Sequence, residues 1–190
     1  LLNSAKGAGA ESAVRIALSV DDAFPAGTDV SRLGFKLRDD YTSLVWLGGT
    51  RALNSLGDGN AAAQLFYRYG AAARTPQTRS KGFYWAGNAS ARAGNATEAN
   101  RYFEMAAQYP EYFYGQLALE RLGRPLPQFK QVSLASINPQ QSAAFNASPL
   151  AAAIRTIART GIDWRTERYF FVALAENAKD ATELQLAANL

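Results

Sequence analysis

Large, small and glycine residues recur at fixed spacings along the middle of this chain, and this recurrence constrains its fold more than any other feature. One unit has the spacing Phe83-x2-Ala86-Gly87, Gly94, Ala99-x3-Phe103 and ends at Pro110. A second unit lies 37 residues earlier, with Trp46-x2-Gly49-Thr50, Gly57 and Ala62-x3-Phe66, and a third lies 29 residues later, with Tyr112-Phe113-Tyr114, Arg121 and Gly123. Because periods of about 20–50 residues are typical of stacked supersecondary units, the sequence predicts stacked units without a single centre.

The residue types at these positions favour pairs of closely packed helices. Small residues let two helix backbones approach, and large residues fill the neighbouring grooves. The small set is Gly49, Gly87, Ala89, Ala99 and Ala106, and the large set is Trp46, Phe66, Phe83 and Phe103. Gly57, Gly94 and Gly123 lie where the first helix of each unit should end, because glycine adopts the left-handed cap conformation without penalty. Asn95 with Glu98 is typical of a capping box that begins the next helix.

The spacing resembles that of the tetratricopeptide repeat, a helical hairpin with anchor positions of this kind. The sequence therefore predicts an all-α fold, an α-solenoid or superhelix of tetratricopeptide-like helical hairpins. Four segments are expected: an N-terminal helix and a loose segment in 1–40, the superhelical repeats in 41–127, an extended connector in 128–138, and further helix pairs in 139–190. Capping residues for the last helices are expected at Asn138, Ser148, Asp163 and Asp180.

Composition excludes several classes of function. The chain has no Cys and no His, which excludes thiol nucleophiles, imidazole bases and zinc sites built from these residues. We expect no catalytic residue, no metal site and no cofactor. The 20 Lys and Arg residues give a net charge of +4 but are scattered, so nucleic-acid binding is not predicted. No apolar run reaches the roughly 18 residues that a membrane span needs, so no membrane span is predicted either.

A second motif follows the repeats and is more specific than they are. Phe113-Tyr114-Gly115, Leu117-Ala118, Arg121-Leu122-Gly123 and Pro125 match the pattern F-Y-G-x-L-A-x-x-R-L-G-x-P. Together with the repeats in 41–127, this segment resembles the superhelical region of the soluble lytic murein transglycosylases. The resemblance implies a periplasmic location and an enzyme that cleaves the glycan strands of peptidoglycan to 1,6-anhydroMurNAc ends. It also implies that the helices of 139–190 lead toward a catalytic module.

The catalytic motif of that family is missing from this sequence. In the family, a general-acid Glu lies in a motif that begins Glu-Ser and is followed by Gly-Leu-Met-Gln. Glu11-Ser12 is followed here by Ala13-Val14, and the single Met, Met105, lies within a repeat. The resemblance therefore implies a non-catalytic scaffold that positions the glycan strand or the catalytic module, with cell-wall proteins as further partners. The alternative is a free-standing tetratricopeptide-type scaffold that binds a protein or peptide.

Most aromatic residues of the repeats are expected to lie in the core. Phe83 is aligned with Trp46 and should be buried. Adjacent residues on a helix point about 100° apart, so Tyr84, Trp85 and Tyr114 cannot all share the buried face to which Phe83 belongs. We predict that Trp85 and Tyr114 contact substrate sugars. The helix over 164–175 is apolar on nearly all sides and needs cover, either within the stack or from a docked module.

Overall fold

The computed structural model describes residues 1–128, 137–161 and 163–190. Over these residues the chain is helical and contains no strand, as the sequence predicts. The helices are α1 (Leu2–Gly7), α2 (Ala10–Leu18), α3 (Phe35–Arg51), α4 (Gly59–Ala72), α5 (Pro76–Arg92), α6 (Ala96–Ala107), α7 (Phe113–Arg121), α8 (Pro139–Asn146), α9 (Pro149–Thr160), α10 (Trp164–Glu176) and α11 (Ala181–Ala188). Two compact units result, 1–128 and 129–190. Most of the predicted connector, 129–136, lies outside the described residues.

Helices α3 to α7 pack consecutively, and α5 contacts α7 as well as its neighbours α4 and α6. Their ends follow the glycine and capping signals. Gly57, Gly94 and Gly123 have φ of 66°, 79° and 67°, the left-handed conformation expected of a helix C-terminus. The Asn95 side chain accepts a hydrogen bond from the Glu98 backbone N–H, and this caps α6.

The N-terminal segment is more ordered than its sequence suggests. Helix α1 was not expected, and it packs against α2 and α3. The Arg51 guanidinium donates hydrogen bonds to the carbonyls of Ala5 and Ala8 and so satisfies acceptors at the end of α1. Ala17 is buried against α3 at Gly48, where an added Cβ would lie 2.4 Å from the Ala17 Cβ. Residues 1–18 thus belong to the core of the first unit.

A glycine-on-phenylalanine contact recurs in two neighbouring helix pairs. A Cβ at Gly49 would lie 2.8 Å from the Phe66 ring, and one at Gly87 would lie 2.6 Å from the Phe103 ring. The two phenylalanines are 37 residues apart, which is the offset between the repeat units in the sequence, but the two glycines are 38 residues apart. The extra residue lies in a π-helical turn, Ala52–Leu56, that continues α3.

The π turn changes the register that the sequence suggested for the first halves of α3 and α5. At an offset of 38, Trp46 corresponds to Tyr84, and Val45 corresponds to Phe83. Phe83 is buried as predicted, but Trp46 is only half-buried, while Val45 is fully buried. The side chains of Thr50 and Asn88, also 38 apart, each bond the backbone carbonyl four residues earlier. The π turn therefore shifts Trp46 out of register with Phe83, and its ring packs against the core with part of its surface exposed.

Backbone contact between α4 and α5 gives the closest helix pair of the first unit. A Cβ at Gly82 would lie 2.4 Å from the backbone nitrogen of Gly70 and 2.5 Å from its Cα. Arg79 reinforces this contact, because its guanidinium donates hydrogen bonds to the carbonyl of Ala73 and to the hydroxyl of Tyr109. The end of α4, the start of α5 and the segment after α6 are thereby tied together.

The second unit has its own small core. Phe145, Ala151, Ile154, Leu174, Leu186 and Ala187 are buried together. The capping residues expected from sequence are all in place: Asn138, Ser148, Asp163 and Asp180 each accept a hydrogen bond from a backbone N–H of the helix that follows. Helix α10 buries only Leu174 completely, and Trp164 and Tyr169 are 61% and 63% exposed. Among the described residues, α10 is therefore not covered on all sides.

The contact between Gly70 and Gly82 makes a direct prediction for stability. A Gly82→Ala variant places its methyl group against backbone atoms, which no side-chain rotation can relieve. We expect the free energy of unfolding to fall by about 1–3 kcal/mol, the usual cost of overpacking. Urea denaturation followed by circular dichroism measures the change.

Gly7→Ala is the matched control, because a Cβ at that helical position meets no atom within 4 Å. We expect this variant to be as stable as the wild type or slightly more stable, since alanine favours a helix over glycine. Equal stability of the Gly82→Ala variant and the wild type would contradict the close approach of α4 and α5.

Candidate ligand-binding groove

One side of α5 remains accessible after the helix has packed against its neighbours. Thr78, Lys81, Trp85, Asn88 and Arg92 follow each other at intervals of three and four residues, so they lie along one face of the helix. We call this set the α5 face. None of its residues is buried, whereas Gly82, Phe83, Ala86, Gly87 and Ala89 are all buried on the other sides. With about 1.5 Å per residue, the α5 face is about 21 Å long.

A groove of about 320 Å³ lies between α5 and α7 at one end of this face. Its lining consists of Tyr84, Trp85, Asn88, Arg92, Phe113, Tyr114, Leu117 and Arg121. The structure thus brings together Trp85 and Tyr114, the two residues for which the sequence predicts sugar contact. Nothing in the structure shows a ligand, so that role stays a prediction.

Tyr84 fixes the two predicted residues relative to each other. Its ring, which is buried, has its centroid 5.6 Å from that of Tyr114 and 6.2 Å from that of Trp85. The Trp85 ring also contacts the Phe66 ring, and their centroids are 6.1 Å apart. Such tilted aromatic contacts are favourable and orient the rings. Trp85 and Tyr114 are consequently half-buried and held in place, and each keeps part of its surface open to the groove.

A second cavity, of about 250 Å³, lies at the opposite end of the α5 face. Thr78 lines it, together with Phe35, Arg38, Asp39, Thr42, Tyr69, Ala73, Arg74 and Thr75. Burial raises the pKa of Tyr69, and the hydroxyl of Tyr114 raises it further through their electrostatic interaction. Because Thr78 lines this cavity and Trp85, Asn88 and Arg92 line the α5–α7 groove, the two openings lie along the same face of α5.

Lys81 lies between the two openings. Its ammonium nitrogen is 3.7 Å from the centroid of the Trp46 ring and 5.6 Å from that of Tyr69. The two rings contact each other, with centroids 4.8 Å apart. The displacement of Trp46 by the π turn therefore places an aromatic platform beneath the lysine. Burial lowers the pKa of Lys81, because desolvation disfavours the charged form.

Positively charged side chains outnumber acidic ones along the α5 face and its two openings. Arg38, Arg74, Lys81, Arg92 and Arg121 line it or lie on it, and Asp39 is the one acidic residue among the described lining residues of the two openings. Within the described part of the chain, Lys81, Arg92 and Arg121 form no ion pair. This arrangement can hold a ligand with flat apolar faces for the rings and with acceptor oxygens for the cations.

The α5–α7 groove has no carboxylate, imidazole or thiol among its lining residues. Across the described ranges no group of three or more potential metal ligands comes together. The lining offers aromatic surfaces and hydrogen-bond donors. Sequence reasoning identified Trp85 and Tyr114 but not Trp46, Tyr69 or Lys81. The polar intervals along 78–92 signalled the α5 face, whereas the platform beneath Lys81 depends on packing between helices.

Comparisons of the chain with protein families, with curated proteins and with solved structures gave no match. None of the helices in the described residues is both long enough and apolar enough to cross a membrane. The function must therefore be inferred from the groove itself.

A network on the other side of the first unit explains the remaining partly buried charges. The Tyr41 hydroxyl donates a hydrogen bond of 2.8 Å to Asp21, whose second carboxylate oxygen lies 3.2 Å from Nε of Arg68. Arg68 also donates to the carbonyl of Leu18. These contacts join α3 and α4 to the segment after α2. Every member is satisfied internally, so we assign the network a structural role.

The Tyr41 hydrogen bond predicts how stability changes at high pH. Burial and the neighbouring Asp21 raise the pKa of Tyr41 above its ordinary value of about 10. The unfolded state therefore loses this proton at lower pH than the folded state, so the stabilisation is complete below about pH 10 and is lost as the pH rises above it.

We expect a Tyr41→Phe variant to be less stable than the wild type at pH 7, by about 1 kcal/mol for the lost hydrogen bond. The gap between the two should narrow between about pH 10 and 11. Urea denaturation at a series of pH values measures both effects. A gap that is constant up to pH 11 would contradict the assignment.

Proposed function

We propose that this chain is the non-catalytic superhelical scaffold of a periplasmic lytic transglycosylase, and that the surface along the α5 face holds a glycan strand of peptidoglycan. In this proposal residues 41–127 form tetratricopeptide-like hairpins that stack into a superhelix. The supporting observation is the α5–α7 groove, in which Trp85 and Tyr114 are held together beside two cations, Arg92 and Arg121, that form no ion pair with any described residue.

Two further features agree with the proposal. The segment that carries the resemblance, 112–125, includes all of α7, so the specific motif provides one wall of the groove. The α5 face is about 21 Å long, which suits several sugar rings in a row better than a small ligand. Trp85 and Tyr114 would stack on pyranose faces, and Asn88, Arg92 and Arg121 would bind hydroxyl or carboxylate oxygens. Cleavage would belong to a separate catalytic module.

A free-standing scaffold that binds a protein or peptide is the second candidate. The α5 face favours it, because an accessible helix face with a cation-lined opening at each end also suits an extended acidic peptide. The two candidates differ in ligand class, so a glycan-binding experiment separates them.

Binding of the purified chain to peptidoglycan sacculi, measured by pull-down over a salt series, tests the proposal. We expect saturable binding without release of anhydro-muropeptides. A Trp85→Ala, Tyr114→Ala double variant should bind at least about tenfold more weakly, equivalent to about 1.4 kcal/mol. Added salt should weaken the binding of the wild type to sacculi, because exposed cations contribute to the contact.

Trp164→Ala is the control, since Trp164 is an exposed tryptophan of the second unit. It should bind like the wild type, and thermal unfolding should show that all variants remain folded. Failure of the wild type to bind sacculi would exclude glycan binding and favour the protein-binding scaffold. Anhydro-muropeptides released by the chain alone would contradict the non-catalytic role.

A further inference from the structure

Lys81 differs from the other cations of the first unit that lie on aromatic rings or are partly buried. Arg101 lies 4.4 Å from the Tyr102 ring centroid and forms two hydrogen bonds with the carboxylate of Glu98. Arg68 is paired with Asp21. Lys81 is similarly placed over a ring, yet it forms no ion pair and no side-chain hydrogen bond with any described residue. Its positive charge is partly desolvated and has no internal counterion.

The surroundings of Lys81 indicate what would complete its environment. Trp46 and Tyr69 provide aromatic surface on one side of the ammonium group, and this attracts the cation but offers no hydrogen-bond acceptor as strong as a carboxylate. Lys81 and Trp85 both lie on the α5 face, one helical turn apart. A carboxylate placed there would meet a lysine that is already oriented by the rings and partly stripped of water.

We propose that Lys81 is the carboxylate-binding residue of the α5 face, so that this surface selects saccharide chains that carry acidic groups over neutral ones. Trp85, four residues further along the same helix face, stacks on a sugar ring, and Lys81 binds an acidic substituent of that sugar or of its neighbour. The inference rests on the proposed glycan-binding function and adds the substrate class to it.

Arg92 and Arg121 differ from Lys81 in their exposure to solvent. Both are exposed at the far end of the α5–α7 groove, where water screens their charge. Lys81 is half-buried against two rings, and burial lowers its pKa. A charge that is already partly desolvated discriminates more strongly between a carboxylate and a neutral amide than an exposed one does. Lys81 therefore provides the selectivity, whereas the arginines provide general attraction.

The test compares two soluble glycan preparations that differ only in charge: strands of one length with free carboxylates, and the same strands after conversion of the carboxylates to amides. Isothermal titration calorimetry of the full chain gives both dissociation constants. We expect the wild type to bind the acidic strands at least about tenfold more tightly. Lys81→Met should lose most of this preference and keep the wild-type affinity for the amidated strands. Lys81→Arg should retain a preference.

Lys36→Met is the matched control, because Lys36 is an exposed lysine of α3 outside both openings. It changes net charge equally and should keep the tenfold preference. Circular dichroism checks folding, and Lys81→Gln replaces Lys81→Met if the latter is unfolded. Equal wild-type affinity for the two preparations would overturn the inference but leave glycan binding intact, and so would an equal loss for both in Lys81→Met. Binding of neither preparation would overturn the proposed function as well.

Discussion

The backbone contact of α4 with α5 at Gly70 and Gly82 determines what the rest of the first unit can do. Two helices this close bury the opposing side of α5 completely, and Phe83 then fills the space beside Gly70. The contact of Gly87 with Phe103 buries a further side against α6. A helix fixed at two such points has only one side left for solvent, and that side is the α5 face. The groove is therefore a consequence of glycine packing elsewhere on the same helix.

The π turn after α3 is the second determinant of the site. By inserting one residue before Gly57, it moves Trp46 away from the position that its sequence alignment with Phe83 suggests and leaves the ring half-buried. Lys81 then lies on Trp46 instead of extending into water. π turns are rare in helices, and this one helps to determine which ring lies beneath Lys81.

The sequence predicts the helical elements well where the signal is local. Left-handed glycines at 57, 94 and 123 and the capping residues of α6 and of α8 to α11 depend only on neighbouring residues, and the structure confirms them. Helix α1 could not be predicted because it depends on Arg51, 43 residues away from the Ala8 carbonyl that it binds. The π turn was missed for a similar reason: no single residue type marks it, and only the 37- and 38-residue offsets of the contacts reveal it.

The same distinction separates the parts of the groove that sequence could and could not identify. Helix geometry predicts that Tyr84, Trp85 and Tyr114 cannot all share one buried face, and the structure places Trp85 and Tyr114 in the lining of the α5–α7 groove. Whether Lys81 is available to a ligand depends on whether a carboxylate of the protein lies beside it. Ion pairing of this kind is set by how the helices pack and cannot be read from the sequence. Arg101 and Lys81 look alike in sequence, because each is a cation close to an aromatic residue. In the structure Arg101 is paired with Glu98, whereas Lys81 is not. The two cations are therefore distinguished by the carboxylate partner that Lys81 lacks among the described residues, which only the packed structure reveals.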